Sequence, residues 1–535
     1  MQFFNLMRSG KWLMGICTAL AVCATTRGAE VEAPDPVLDL FVQKGFVTQQ
    51  EADKVKAEAE AIRTNQMQMP QLPESKWNIS KGLKNMEFYG DIRLRYEDRS
   101  AADSTADSID LQRWRYAVRF GLRGDLFDQF YYGLRMDTSA NPRSSFVTLG
   151  TSSGGTYQGP FGKSTSGINI GQVFLGWHPE SWVDITLGKM PMPIYTTPLV
   201  WNSNISPEGA AERFNYTVGE AGFFANFGQF LYQDLNPNSA SGGLGINGLT
   251  GQKTDNIFQL AWQAGLKYQF TTNVNAKIAA TMYQYIGLHQ SSNTTFSAFS
   301  PYFGDPYIGE GAALTGLFPS SAAGYSGYGT SSSLPGYGSV GYPLNQVGLN
   351  HLLVLEIPFE FNFKISKLDA RVFGDFAYNL EGAQRAQDAA AAYSYVLANN
   401  GFATITSAPF SPQTSDVKAY QIGFAVGSSG SLGLVSGSNA RKNAWEFRTY
   451  WQHIEQYSLD PNILDTDFFN GLENMEGYYT ALSYGLTDNL IGTVRYGHAS
   501  RINPLLGTGG SSQDIPQINP ISSYDIIQVD LTFDF

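Results

Sequence analysis

Arg113-Trp-Arg-Tyr-Ala-Val-Arg-Phe-Gly-Leu-Arg123 decides the fold. Trp114, Tyr116, Val118, Phe120 and Leu122 alternate with Arg113, Arg115, Arg119 and Arg123, so apolar and charged residues fall on opposite faces of a strand. A sandwich core cannot hold an arginine at every second position. A strand with one face in lipid and the other in water can. Just upstream, Met86-Glu-Phe-Tyr-Gly-Asp-Ile-Arg-Leu-Arg-Tyr-Glu97 repeats the pattern, with Phe88, Ile92, Leu94 and Tyr96 opposite Glu87, Asp91, Arg93, Arg95 and Glu97.

Period two continues to the C-terminus. It parses into sixteen strands: 86–97, 112–124, 130–138, 167–178, 181–190, 210–218, 222–233, 256–270, 274–286, 348–362, 368–380, 417–427, 443–454, 476–486, 490–500 and 523–535. Segments 167–178 and 210–218 carry the weakest pattern. Short turns alternate with long loops at 139–166, 234–255, 287–347, 381–416 and 501–522. An even strand count with one short-turn end and one long-loop end predicts an all-β, transmembrane antiparallel barrel over 86–535. The connection 428–442 is long for the short-turn end. Ile527, Val529, Leu531, Phe533 and Phe535 form an outward row ending on a terminal aromatic, the kind of signal that barrel-assembly machinery reads.

Composition agrees. Of 535 residues, 14% are aromatic and only 15% charged, against about 25% charged in ordinary soluble domains. The net charge of −12 argues against a nucleic-acid partner. Mean hydropathy is −0.20, and beyond the N-terminus no apolar run approaches a spanning helix. Residues 1–24 read as a signal peptide, with Arg8 and Lys11 before an apolar stretch and Val22-Cys23-Ala24 at the cleavage point. Both cysteines, Cys17 and Cys23, leave with it, so disulfides and thiolate chemistry leave too; 33 basic and 47 acidic residues remain. Residues 25–65 read as a short periplasmic helical segment with a capping box at Thr48-Gln-Gln-Glu51. It is either a spacer packed on itself or an oligomerisation or cell-wall contact. Residues 66–85, with Pro70 and Pro73, read as linker.

The chain resembles the putative-porin family of Gram-negative outer membranes, which combines a signal peptide, a short helical segment and a barrel. The matching pieces are Leu38-Asp-Leu-Phe-Val-Gln-Lys-Gly-Phe-Val-Thr-Gln-Gln-Glu-Ala-Asp53, Phe88-Tyr-Gly-Asp-Ile-Arg-Leu-Arg-Tyr-Glu97, Leu187-Gly-Lys-Met-Pro-Met-Pro193, Gly477-Tyr-Tyr-Thr-Ala-Leu-Ser-Tyr-Gly-Leu-Thr-Asp-Asn489 and Gln528-Val-Asp-Leu-Thr-Phe-Asp-Phe535. The resemblance implies passive diffusion of small hydrophilic solutes, a homotrimer in outer-membrane lipid and no enzymatic activity. A non-conducting structural or adhesive barrel, or a barrel enzyme, are the alternatives.

If the charged faces point inward, Arg93, Arg95, Arg113, Arg115, Arg119, Arg123 and Arg135 line one wall against Glu87, Asp91, Glu97 and Asp137. Across the ring stand Glu356, Glu360, Asp369 and Asp375, with Arg371 as the lone base on those two strands. A basic wall facing an acidic one would set up a transverse field. Loop 191–209 carries Pro191, Pro193 and Pro198 in its first half, which stiffens it as a constriction loop folded into the pore requires. Glu208 and Glu212 would then add acid at the narrowing. A rigid surface loop fits the same residues.

The remaining motifs fail. Gly243-Leu-Gly-Ile-Asn-Gly248 opens no helix, and in Asp465-Thr-Asp-Phe-Phe-Asn-Gly-Leu-Glu-Asn-Met-Glu476 Phe469 occupies a calcium-ligand position. His178, His289, His351, His453 and His498 are scattered, so no metal or other cofactor is expected.

Overall fold

The computed structural model describes residues 44, 83–102, 108–150, 167–233, 257–286, 351–387, 416–504 and 521–535. The signal peptide, the helical segment apart from Lys44, and nearly all of the linker lie outside the described residues, as does loop 287–347. Contacts divide the chain into Met1–Ser80 and Lys81–Phe535.

Among the described residues, Lys81–Phe535 contains seventeen strands. The first eight are β1 (Glu87–Ala102), β2 (Ser108–Asp125), β3 (Phe130–Asp137), β4 (Val147–Thr148), β5 (Asn169–Glu180), β6 (Val183–Lys189), β7 (Glu208–Val218) and β8 (Ala221–Gln233). The rest are β9 (Ile257–Thr271), β10 (Val274–Ile286), β11 (Leu353–Ile365), β12 (Leu368–Asn379), β13 (Lys418–Ser428), β14 (Trp445–Ile454), β15 (Met475–Gly485), β16 (Leu490–Arg501) and β17 (Ser523–Asp534). Sixteen form an antiparallel ring that closes by pairing β1 with β17, from Asp91↔Asp534 to Ala102↔Ser523. β4 is a two-residue addition to β2. The expected closed sixteen-strand barrel is thus observed, and its two weakest segments are β5 and β7. Closure satisfies every backbone edge, the condition for crossing lipid with strands.

Register sorts the two faces. Trp114, Leu94, Leu175, Leu187, Phe223, Ile278, Ile422, Leu482, Val494 and Phe533 are exposed on the outward parity. The inward parity is rich in charged and amide side chains, many of them buried. The backbone of Phe535 exchanges hydrogen bonds with Gly90, at 2.9 and 3.0 Å, and its ring lies 5.5 Å from Phe88.

The long connection 429–444 spends its length folding back against the inner wall. Its 3-10 helix, Leu434–Ser436, buries Leu434 and Val435. Glu446 on β14 accepts from the backbone amides of Gly433 (2.8 Å) and Val435 (3.0 Å), and Arg495 on β16 donates to the Val435 carbonyl.

Candidate functional site

Three connections turn into the ring from the end opposite the short turns: 139–146, 190–207 and 455–474. Apolar residues of the last two, with those of the wall, make one internal core. It includes Met190, Leu199, Trp201, Phe230, Tyr283, Leu464, Phe468 and Phe469.

Loop 190–207 leaves the ring between β6 and β7 and docks on the inner faces of β8 to β12. Gly188 and Gly209 are register partners at its base, with φ of +118° and +149°. A Cβ on either would meet a backbone oxygen, Val173 O at 2.4 Å or Gln229 O at 2.1 Å, so only glycine lets the loop begin there. Gln263 on β9 clasps Tyr195 at both ends, accepting from its amide (2.9 Å) and donating to its carbonyl (2.7 Å). The Thr196 hydroxyl donates to Glu356 and that of Thr197 to Asp375, each at 2.5 Å. Trp201 is buried against Phe230 and Tyr283.

Loop 455–474 docks on the opposite side. Arg95 on β1 reaches Asp467 at 2.8 Å, and Arg99 reaches the Asn470 side-chain oxygen at 2.5 Å. Burial alone would raise the Asp467 carboxyl, but Arg95 and Arg495 outweigh it and hold it below the ordinary carboxylate range. Burial and the Asp467 charge push neighbouring Asp465 up to about 7. Farther along, Asp460 accepts from Tyr232 and Tyr285 on β8 and β10. The two loops meet where the Asn202 amide donates to the Ile463 carbonyl at 2.7 Å, and 139–146 joins them as Asn204 donates to the Arg143 carbonyl.

Every arginine of the expected basic wall lies on the inward parity, and each has an acidic partner. Arg93 and Arg119 share Asp91 (2.6 and 2.7 Å), while Arg113 and Arg115 approach Glu97 (2.5 and 3.7 Å). Arg123 pairs with Glu87 and Arg135 with Asp137. Arg95 forks onto Asp530 of β17, at 2.7 and 2.8 Å. Arg95 and Arg115 stand opposite each other in the ladder. That like-charge pair is relieved by Glu97, Asp530 and Asp467 and by the Phe146 ring, 4.2 Å from the Arg95 guanidinium. Arg99, Arg495, Asp467 and Asp530 complete this network and escaped the sequence reading. Asp530 belongs to β17, which meets β1 only on ring closure, and Arg495 to β16, the next strand along.

The far wall departs from expectation. Glu356 and Asp375 are buried beneath Tyr195–Thr197 and do not face open lumen. Glu360 and Asp369 share the inward parity with Arg371, and also with Lys364, Lys277 and Lys267. Arg371 is therefore not the lone base there, and the transverse field loses its acidic half. The physical reason is the neighbourhood: adjacent strands supply cations that one strand's pattern does not reveal.

Glu208 and Glu212 are a second correction. Ala211 and Arg213 occupy the inward parity of β7, opposite Thr186 and Asp184, so Glu208 and Glu212 face outward. Lys189 pairs with Glu208 at 2.6 Å, and Gln229 donates to Glu212 at 3.0 Å. They add no acid to the narrowing.

Among the described residues, no three His, Cys, Asp or Glu gather as a metal site. A closed sixteen-strand ring, apolar outside and charged inside, defines a transmembrane barrel of outer-membrane type. Residues 104–302 match the family described as putative porin, bearing out that resemblance over this stretch. Solved structures that align with the chain include a mutant porin of Rh. blastica, at 8% identity and TM-score 0.35, covering 84% of this chain and 100% of that one. In-vitro folded OmpT, an outer membrane protein of Vibrio cholerae, also aligns at 8% identity and TM-score 0.35, over 85% and 100%. Comparison with curated proteins finds no match. The family match and the barrel support an outer-membrane porin of bacteria.

Proposed function

We propose that the chain is a water-filled channel for passive diffusion of small hydrophilic solutes and ions. The observation that carries this reading is the inner wall below the three inward loops. Its charged side chains remain open to water: Arg123 is 56% exposed, Arg213 is 39% exposed, and Lys267 is also exposed. Charges left solvated inside a closed ring fit a wet lumen, whereas a sealed interior would replace them with packed apolar residues. The loops would then act as the narrowing, with Tyr195 and Asp467 at its edges. Conductance of the purified, refolded chain in planar bilayers tests the reading, and neutralising Arg115 and Arg119 together is expected to shift the channel's preference toward cations.

A non-conducting barrel is the second reading, favoured by one observation: the apolar core that loops 190–207 and 455–474 build inside the ring. It predicts no conductance until a loop is loosened.

The same proposal has a cleaved signal peptide, a helical segment in the periplasm, and Phe535 presented to assembly machinery. It includes a homotrimer, with solutes rather than chemical reactions as its business. The outward Lys189–Glu208 pair supports protein neighbours on that face, since an ion pair in lipid is costly.

A further inference from the structure

We propose that Lys267 and Lys277 form a subsite for small carboxylates on the lumen wall beneath loop 190–207, an assignment that rests on the channel reading. The two lysines stand directly opposite each other on β9 and β10, on the inward parity. Like charges so placed destabilise a ladder. The corresponding arginine pair on β1 and β2 is relieved by three carboxylates, but this one is not. Among the described residues neither lysine has an ion-pair partner. Glu360 stands opposite Lys277 on β11, yet its carboxylate leans toward Arg371, at 3.7 Å, and Arg371 is steadied by Asn362 at 2.7 Å.

Aromatic rings hold the cations in place. The Lys277 ammonium sits 3.3 Å from the centre of the Tyr195 ring, and both ammoniums lie within 5.7 Å of the Phe224 centre. Tyr195 and Phe224 meet edge to face at 6.5 Å. Tyr195 is fixed by the Gln263 clasp, so the rings are positioned before any solute arrives. Two converging ammoniums supply donors for both oxygens of one carboxylate. Apolar ring surface beside them favours an anion with a carbon body over a bare inorganic one. Parity along the strands agrees with this register: Gln259, Ala261, Gln263, Gly265 and Lys267 share the inward parity of β9, and Lys277 that of β10.

The test uses the full refolded chain in detergent and in bilayers, with acetate as probe. Saturation transfer from protein to the acetate methyl group is expected for the native chain. It should be lost in the double variant Lys267→Gln, Lys277→Gln and kept in Lys267→Arg, Lys277→Arg. In a potassium acetate gradient, the Gln variant should lose about five-fold in acetate-to-potassium permeability. Equal saturation transfer in native and Gln chains overturns the site, whether or not the barrel conducts. Inorganic phosphate displacing acetate at equal concentration overturns the carboxylate assignment. A native chain that binds acetate but passes no current defeats the channel reading and leaves the site standing.

Discussion

Replacing Trp201 by alanine tests whether loop 190–207 is held by packing. The indole is 4% exposed and lies 6.3 Å from both Phe230 and Tyr283, and its Nε1 has no partner among the described residues. Truncation therefore removes apolar contact without breaking a hydrogen bond, and buried Trp→Ala changes cost about 3–5 kcal/mol. Five of the bonds tying the loop down, from Tyr195 (two), Thr196, Thr197 and the Asn202 amide, survive the change. At about 1 kcal/mol each they are comparable to what is lost. The released loop should become roughly two to three orders of magnitude more populated, at 1.4 kcal/mol per factor of ten. Hydrogen exchange reads this directly, because the amides of Val200 and Trp201 donate to the Thr197 carbonyl inside the loop and that of Asn202 to Ile463 of loop 455–474. Their exchange should accelerate by at least about a hundred-fold, while the β6–β7 ladder keeps its native rate. Acceleration below about five-fold would refute the packing argument, and loss of ladder protection would show that the loop holds the barrel up.

Four further outcomes follow from the same geometry. Asp530→Asn leaves Arg95 and Arg495 facing a neutral group in a buried site, and should destabilise the barrel by about 3–5 kcal/mol in thermal unfolding on detergent gels; an unchanged midpoint would contradict it. Glu446→Gln weakens the charged acceptor of two backbone amides, so exchange at Gly433 and Val435 should rise about ten-fold, whereas native rates would assign the hold on 429–444 to the buried Leu434 and Val435 and to Arg495. Glu208→Gln and Glu212→Gln, being outward, should leave reversal potentials where they are; a shift as large as that of Arg119→Gln would return them to the lumen. Asp465 is raised to about 7, above its unfolded value, so its neutral form is favoured in the docked loop. Lowering the pH from 8 to 6 should therefore quiet any current noise from loop 455–474, and Asp465→Asn should abolish that pH dependence.

Much of this barrel was legible because a strand's parity is a local property. Arg113 to Arg123 state which residues face water, and the outward row Ile527 to Phe535 does the same at the other end of the chain. Closure between β1 and β17 followed from having an even number of such strands. What parity could not show was cover. Glu356 and Asp375 face inward as read, but Thr196 and Thr197, some 160 and 178 residues away, lie over them. The miss at Glu208 and Glu212 has a more local cause. Glu208 read as a loop residue could point anywhere, and the weak pattern of 210–218 leaves the face of Glu212 unset, but β7 begins at Glu208, and Arg213 opposite Asp184 fixes the parity. Loop 455–474 left a trace of its own: Phe468-Phe469 inside a long loop demands an apolar home.

The central claim is that the ring encloses a wet path. Single-channel recording of the purified, refolded chain, with folding checked by its gel mobility before and after heating, tests it most directly. The account predicts discrete conductance steps that grow with salt concentration and lose anion preference when Lys267 and Lys277 are replaced by glutamine. A correctly folded barrel that inserts into the bilayer and passes no current would contradict it.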